Sequence, residues 1–207
     1  MLVTSSLVGW WRFEGNANDS SGKGNNGTVY GSSLDTGKFG RCYSFDGVDD
    51  YVEVPDSASL KPTKISVAAW VKPFAFTAGA KDIIARRNTS NIGGFVWRGF
   101  DGSGLLTLWF YRDGIGWENV KVTLVANVWN HVVGTYDGAN IRAYLNAVET
   151  SPTAVSGLLG TPTTVLRIGA DAYALRDFFK GLIDEVRIYN RALLIEEILK
   201  HTQMFRR

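Results

Sequence analysis

Cysteine occurs once in the 207 residues, and histidine and methionine twice each; the first two scarcities each close off a class of chemistry. A lone Cys42 allows no internal disulfide, so the chain is not a disulfide-stapled scaffold and must be held by its own core. It stands in GKFGRCYSFDG with no histidine near it in sequence, which reads as a buried structural thiol rather than a nucleophile. His131, His201 and Cys42 are the whole supply of soft or borderline ligands, so a zinc centre is not expected. Charge of one sign is lacking too. Lysine and arginine number 22 against 20 acidic residues, a net charge of +2, which gives no field that would gather nucleic acid or acidic membranes. The pairs Arg86-Arg87 and Arg206-Arg207 are too short to make a nucleic-acid patch. No apolar run is long enough to span a membrane, and the opening MLVTSSLVGWW has no basic stretch leading into a long apolar one, so no signal peptide is expected. Phosphate-binding loops, a G-x-S-x-G elbow and repeats of twenty to fifty residues are missing as well.

What the chain does have is alternation. LVGWWRFE (7–14) reads as a strand, followed by GNANDSSGKGNNG, dense in turn formers. Cys42–Phe45, Asp46-Gly47 and Tyr51–Val54 read as a hairpin. Ile65, Val67, Ala69 and Val71 share one strand face, with Trp70 on the other. KDIIARR, GFVWRGF, LLTLWFYR and WENVKVTLV then follow at even spacing, two of the joints being Asp101-Gly102 and Asp113-Gly114, the pattern of an all-β sandwich or barrel. With 45% hydrophobic residues, one core and one domain over 1–207 are expected. LLIEEILKHTQMF predicts a short C-terminal helix, with Leu194, Ile195, Ile198 and Leu199 as its apolar stripe and Glu196-Glu197 near its positive end.

One stretch holds an anomaly. In GLIDEVRIYNRAL (181–193), strict alternation puts Leu182, Val186 and Ile188 on one face and Ile183, Glu185, Arg187 and Tyr189 on the other. Asp184 falls on the Leu182 face, where a carboxylate must be hydrogen-bonded, paired or metal-bound. Asn and Asp side chains in the 15–27 loop can close turns on the backbone, or can turn their oxygens on a hard cation.

These motifs carry a resemblance. DSSGKGNNGT, FDGVDDYVEV, WNHVVGTYDG and the Asp184 stretch, in that order and covering Val8 to about Leu199, resemble the laminin-G-like, concanavalin A-like jelly-roll family. The resemblance implies a two-sheet antiparallel sandwich, an extracellular setting, and a module binding carbohydrate or protein, often with structural calcium. It also implies that Asp19 and the loop around Asn25 meet the strand of Asp184, so that Asp19, Asn25 and Asp184 are the expected calcium ligands, against a hydrogen-bonded turn network for the same residues. The chain departs from the family at Ala147, where glycine is usual after Asn146, and at Leu194, where a capping Ser or Thr is usual.

The outward residues are the candidates for binding. Parity places Val96, Arg98, Thr107, Trp109, Tyr111, His131, Val133 and Thr135 outward, against inward Phe95, Trp97, Leu106, Leu108, Phe110, Val132 and Tyr136. In the resembled fold such residues line one concave sheet. Sugars need exposed rings for stacking and polar groups for their hydroxyls, which singles out Arg98, Trp109, Tyr111, Trp117, His131 and Tyr144. No catalytic residue is assigned. An E-x-D-x-x-E run of the hydrolase branch is absent, Asp184 and Glu185 point to opposite faces, and NHVV around His131 matches the lyase strand only faintly. A non-catalytic carbohydrate-binding module is therefore the leading expectation, with a protein-interaction module as the alternative and a hydrolase or lyase behind both.

Overall fold

A computed structural model describes residues 6–88, 93–150 and 152–203. Two antiparallel sheets face each other. The first runs β13 (Val148–Glu149), β12 (Asn140–Leu145), β11 (Asn130–Tyr136), β6 (Ile65–Pro73), β16 (Lys180–Tyr189), β4 (Arg41–Asp46), β3 (Ser33–Thr36), with β1 (Leu7–Trp11) beside β16 and β14 (Thr153–Ala154) beside β12. The second runs β10 (Gly116–Thr123), β9 (Leu105–Arg112), β8 (Phe95–Asp101), β7 (Ala78–Arg86), β15 (Leu166–Ile168), β5 (Tyr51–Val54), β2 (Thr28–Tyr30). One helix, α1 (Ile195–Gln203), follows the last strand. The expected jelly-roll sandwich is the observed architecture.

The core lies between the sheets, and the alternation explains it. Ile65, Val67, Ala69 and Val71 of β6 meet Phe95 and Trp97 of β8 and Leu106, Leu108 and Phe110 of β9 in one apolar cluster. Trp11, Trp97, Phe95 and Phe110 are almost fully buried, and burying each such side chain contributes roughly 1.5–3 kcal/mol or more. The Asp101-Gly102 and Asp113-Gly114 turns join β8–β9–β10 as consecutive antiparallel neighbours, with Gly102 and Gly114 at φ of 71° and 70°. Cys42 is buried, as expected of a structural thiol.

Three expectations need correction. The Cys42–Val54 stretch is not a hairpin: β4 pairs with β3 and β16, while β5 pairs with β2 and β15 in the other sheet. The 46–50 turn crosses between sheets because both strands have core faces to bury, Phe45 on one side and Val52 and Val54 on the other. The alternation of 181–189 is interrupted: β16 is bulged between Asp184 and Arg187, and Glu185 takes φ of 52°. Ile183, Val186 and Ile188 therefore all face the core, and Asp184 does not share their face. The helix stripe is narrower than predicted: Ile198 and His201 are buried, whereas Leu194, Ile195 and Leu199 are exposed.

Candidate carbohydrate-binding face

The outer face of the second sheet collects aromatics. Trp109 and Tyr111 stand two apart on β9, and Trp117 of β10 is the direct cross-strand partner of Tyr111, the two rings meeting edge to face at 5.3 Å. All three are half-buried. Trp109 and Trp117 pack against a small floor of Ala85, Val96 and Ala172. Exposed Ile115 and Leu158 border Trp117 and Tyr111 at the β9–β10 end. There the Leu158 carbonyl accepts the Asp113 N–H at 2.9 Å, and the Tyr111 carbonyl accepts the Gly160 N–H at 2.9 Å. Arg112 holds this end by donating to the Ser156 carbonyl at 2.5 Å and pairing with Glu118 at 2.8 Å.

The other wall is the segment between β15 and β16. Asp171, Ala172 and Tyr173 lie over β7 and β8, with Tyr173 exposed and the Arg87 guanidinium 5.4 Å from its ring centre. Arg98 is on this face but spent on acids: its Nε and Nη2 fork Asp82 at 2.5 Å each, and Nη2 also reaches Asp177 at 3.1 Å. Arg87 forks Asp171 in the same way. Burial first, then Arg98 pulling down and Asp171 and Asp177 pushing up, leaves the Asp82 carboxyl raised to about 7. Hydrogen bonds from Arg87 and from the Tyr173 N–H hold Asp171 below its usual range, against its burial.

His131 and Tyr144 are elsewhere. They lie on the outer face of the first sheet, where α1 covers them: Tyr144 packs with Leu7, Val133, Tyr189, Leu193 and Ile198. His131 sits 4.9 Å from the Trp70 ring and 5.8 Å from His201. Burial pushes His131 well below the usual imidazole range and Tyr144 up to about 12. The predicted six-residue site is thus four residues on one sheet and two on the back of the other. Parity tells outward from inward but not which sheet a strand joins.

Of the expected calcium ligands, Asp19 and Asn25 meet, and Asp184 has a partner of its own. Asp19 accepts four hydrogen bonds, from Trp10 and Ser21 backbone N–H, Ser21 Oγ and the Asn25 N–H, at 2.8–3.0 Å. Asn25 donates its amide to the Val8 carbonyl and Ser59 Oγ. Asp184 accepts the Phe39 N–H at 3.0 Å and leaves its other oxygen unpartnered; burial raises its carboxyl to about 7. Asp19 bridges Trp11, and Trp11 pairs with Val186 of β16, so two strand spacings, about 10 Å, separate its backbone from that of β16. Asp19 and Asn25 thus share one hydrogen-bonded loop, and Asp184 is held apart from it by the Phe39 N–H.

Among the described residues, two other acid groups have ligand oxygens within 4.8 Å of one another: Asp46, Asp49 and Asp50, and Asp82, Asp171 and Asp177. In the second, Arg98 already holds the positive charge. In the first, Asp46 caps Val48 with one oxygen and Asp50 accepts the Asp46 N–H with one of its own. The sequence missed Asp82, Asp171, Asp177 and Tyr173. Asp82 and Arg98 had a signal, being opposite charges on adjacent strands and direct cross-strand partners, whereas ADAYALRDFF shows no period to read.

Two antiparallel sheets packed face to face with one short C-terminal helix make a jelly-roll sandwich. Residues 46–199 match the family model described as the concanavalin A-like lectin/glucanases superfamily, and the chain belongs to that family. Among curated proteins, none matches the sequence. Among solved structures, the chain is similar to domain 4 of AbnA, a GH43 extracellular arabinanase from Geobacillus stearothermophilus, in complex with arabinotriose. The TM-score is 0.80 at 22% identity, covering 96% of this chain and 98% of that one. It is also similar to the binding domain of Paraclostridial Mosquitocidal Protein 1, with TM-score 0.80, 15% identity, and 96% and 52% coverage. The binding domain of botulinum neurotoxin DC in complex with SialylT gives TM-score 0.75, 15% identity, and 97% and 52% coverage. The chain therefore spans about half of each toxin binding domain. No described helix is long and apolar enough to cross a membrane.

Proposed function

We propose that this chain is a non-catalytic, extracellular carbohydrate-binding module that takes a sugar on the outer face of the second sheet. The observation that carries the reading is the group Trp109, Tyr111 and Trp117, three half-buried rings on adjacent strands with exposed loop residues on both sides. Rings so placed can stack on the C–H faces of a sugar without losing their own packing. Arg87 and Arg98 are consumed by aspartates, so the face offers stacking to an uncharged glycan rather than a cation to an acidic one. The same pairing argues against hydrolysis. Asp82 and Asp171 are fully buried, and Arg98 and Arg87 occupy their oxygens, whereas a general acid and its partner must reach the glycosidic oxygen and the anomeric carbon.

Calcium belongs to the proposal at Asp46, Asp49 and Asp50, where three carboxylates converge with oxygens still free of hydrogen bonds. A hard cation would neutralise their mutual repulsion and brace the crossing between sheets.

The test is calorimetric titration with arabinotriose, a neutral trisaccharide, alongside polygalacturonate as the acidic arm, each with calcium and with EDTA. Binding of the neutral sugar is expected, with Trp109→Ala and Trp117→Ala each weakening it at least tenfold. No binding of any glycan would return the aromatic face, with exposed Ile115, Leu158, Tyr173 and Leu175 around it, to the protein-interaction reading.

A further inference from the structure

Three aspartates from two parts of the chain converge on one guanidinium beside the aromatic face. Asp82 comes from β7, Arg98 from β8, and Asp171 and Asp177 from the segment leading into β16. Arg98 Nε and Nη2 bond Asp82 at 2.5 Å, and Nη2 lies 3.1 Å from Asp177 and 3.5 Å from Asp171. Arg87 forks Asp171 from the far side, and exposed Arg176 stands 3.6 Å from Asp171 and 3.7 Å from Asp177. Asp82 and Asp171 are completely buried. Acids this close repel in a poorly screened setting, and of the three guanidiniums near them only Arg98 reaches Asp82, Asp171 and Asp177 together and so ties the segment to β7 and β8.

The backbone shows what is being held. Gly169 N–H bonds the Ile83 carbonyl, Phe179 N–H bonds Gly169, Asp171 N–H bonds Arg176 and Asp82 N–H bonds Asp177, at 2.7–3.0 Å. The segment is thus a closed loop with its base fastened to β7. Asp177 adopts φ of 57°, a left-handed conformation that persists in a non-glycine residue only where its surroundings impose it. Ala172 rests on Ala85 and Val96, next to Trp109 and Trp117.

We propose that Arg98 is a resident cation and a positioning residue: its guanidinium pins the Gly169–Phe179 segment onto the outer face of the second sheet, so that Ala172 and Tyr173 form a fixed wall beside the aromatic rings. The pinning stands on geometry alone; its effect on affinity rests on the carbohydrate reading. Arg98, assigned from sequence as a ligand contact, instead acts through the segment.

Amide hydrogen exchange of the full chain tests it, comparing wild type with Arg98→Ala, Arg98→Lys and Asp177→Asn. In Arg98→Ala, protection over residues 170–178 is expected to fall at least tenfold while that of β11 and β12 is unchanged, and added methylguanidinium is expected to restore it. Lysine, a point charge without the fork, should restore it only in part. Arabinotriose affinity should fall and recover in parallel. Segment exchange in Arg98→Ala as slow as in wild type, or loosening spread evenly over both sheets without rescue, overturns the proposal. Should Arg98→Ala not fold, Arg98→Lys and Asp177→Asn decide: local loosening supports the pinning and unchanged exchange overturns it. A wild type that binds no arabinotriose counts against the carbohydrate reading, while the exchange data still decide the role of Arg98.

Discussion

Ala147 follows Asn146 in the turn between β12 and β13, and both are left-handed, at φ of 65° and 52°. An L-residue held there costs roughly 1–2 kcal/mol, which glycine avoids, although glycine gives back about 0.4–1 kcal/mol through the freer unfolded chain. Asn146 is well employed, its side-chain oxygen accepting the His131 N–H at 2.9 Å; Ala147 gains only a partial packing contact with the cluster beneath α1. Ala147→Gly is therefore expected to stabilise the fold by about 0.5–1 kcal/mol, read as a higher urea midpoint with unchanged slope. A midpoint equal to or below wild type would show that the methyl contact outweighs the strain. The missing glycine was legible in the sequence because a turn constrains its residue locally. Asp184 was legible only as an anomaly, since its explanation lies in tertiary structure: β16 changes partner from β4 to β1 at this point, and the carboxylate accepts the N–H of Phe39 in the gap.

At the scale of elements, α1 shows how a weak local signal is repaired. Leu194 offers no side-chain cap, and Glu197 compensates by accepting the Leu194 N–H at 3.0 Å while holding Arg191 through two bonds of 2.7 and 2.6 Å. That pairing keeps the Glu197 carboxyl down at about 2. The helix docks through Ile198 and His201, whose ring stacks on Tyr189 and whose Nε2 lies 3.0 Å from the Tyr189 hydroxyl. Burial first, then the charge of Arg187, drives the His201 imidazole down to about 3, with Glu197 opposing. Because the folded chain keeps His201 neutral while the unfolded chain protonates it near 6.5, stability is full above that pH and falls with acidification until pH reaches the folded value. Glu197 works in the same direction but only below about 4.5. Burial raises Asp82 and Asp184 to about 7, so both gain their proton in the folded chain first and work in the opposite direction between pH 6.5 and 5. The difference between wild type and a His201 variant in that window isolates His201. There His201 is expected to account for a loss of about 2 kcal/mol, and His201→Phe should flatten the slope of stability against pH by about that amount. An unchanged slope, measured by urea denaturation at half-unit steps, would mean that His201 is already free to protonate in the folded chain. The helix itself was readable from its period; its buried face was not, because the strands beneath it select Ile198 and His201 rather than the most apolar side chains.

For the whole molecule, the two sheets present opposite outer faces with different duties. On the first sheet, α1 closes over Val133, Tyr144 and Tyr189 with His131 alongside. On the second, Trp109, Tyr111 and Trp117 stay half exposed between two loops. The sandwich, the core faces of β6, β8 and β9 and the outward direction of the six candidate binding residues were readable from strand parity, which is a local property and failed at the bulge of β16. Sheet membership is not local, since β4 and β5 or β10 and β11 are neighbours in sequence yet lie in different sheets. A site assembled from parity alone therefore mixes a covered face with an open one. The division predicts separable phenotypes. His131→Ala and Tyr144→Ala should each lower stability by about 2–4 kcal/mol, as large-to-small changes under a packed helix do, and leave arabinotriose affinity within twofold of wild type. Trp117→Ala should do the reverse, weakening binding at least tenfold for a stability loss of about 1 kcal/mol. Paired titrations and urea melts on the three variants check this, and a drop in affinity in His131→Ala or Tyr144→Ala that matches Trp117→Ala would place the ligand under the helix instead.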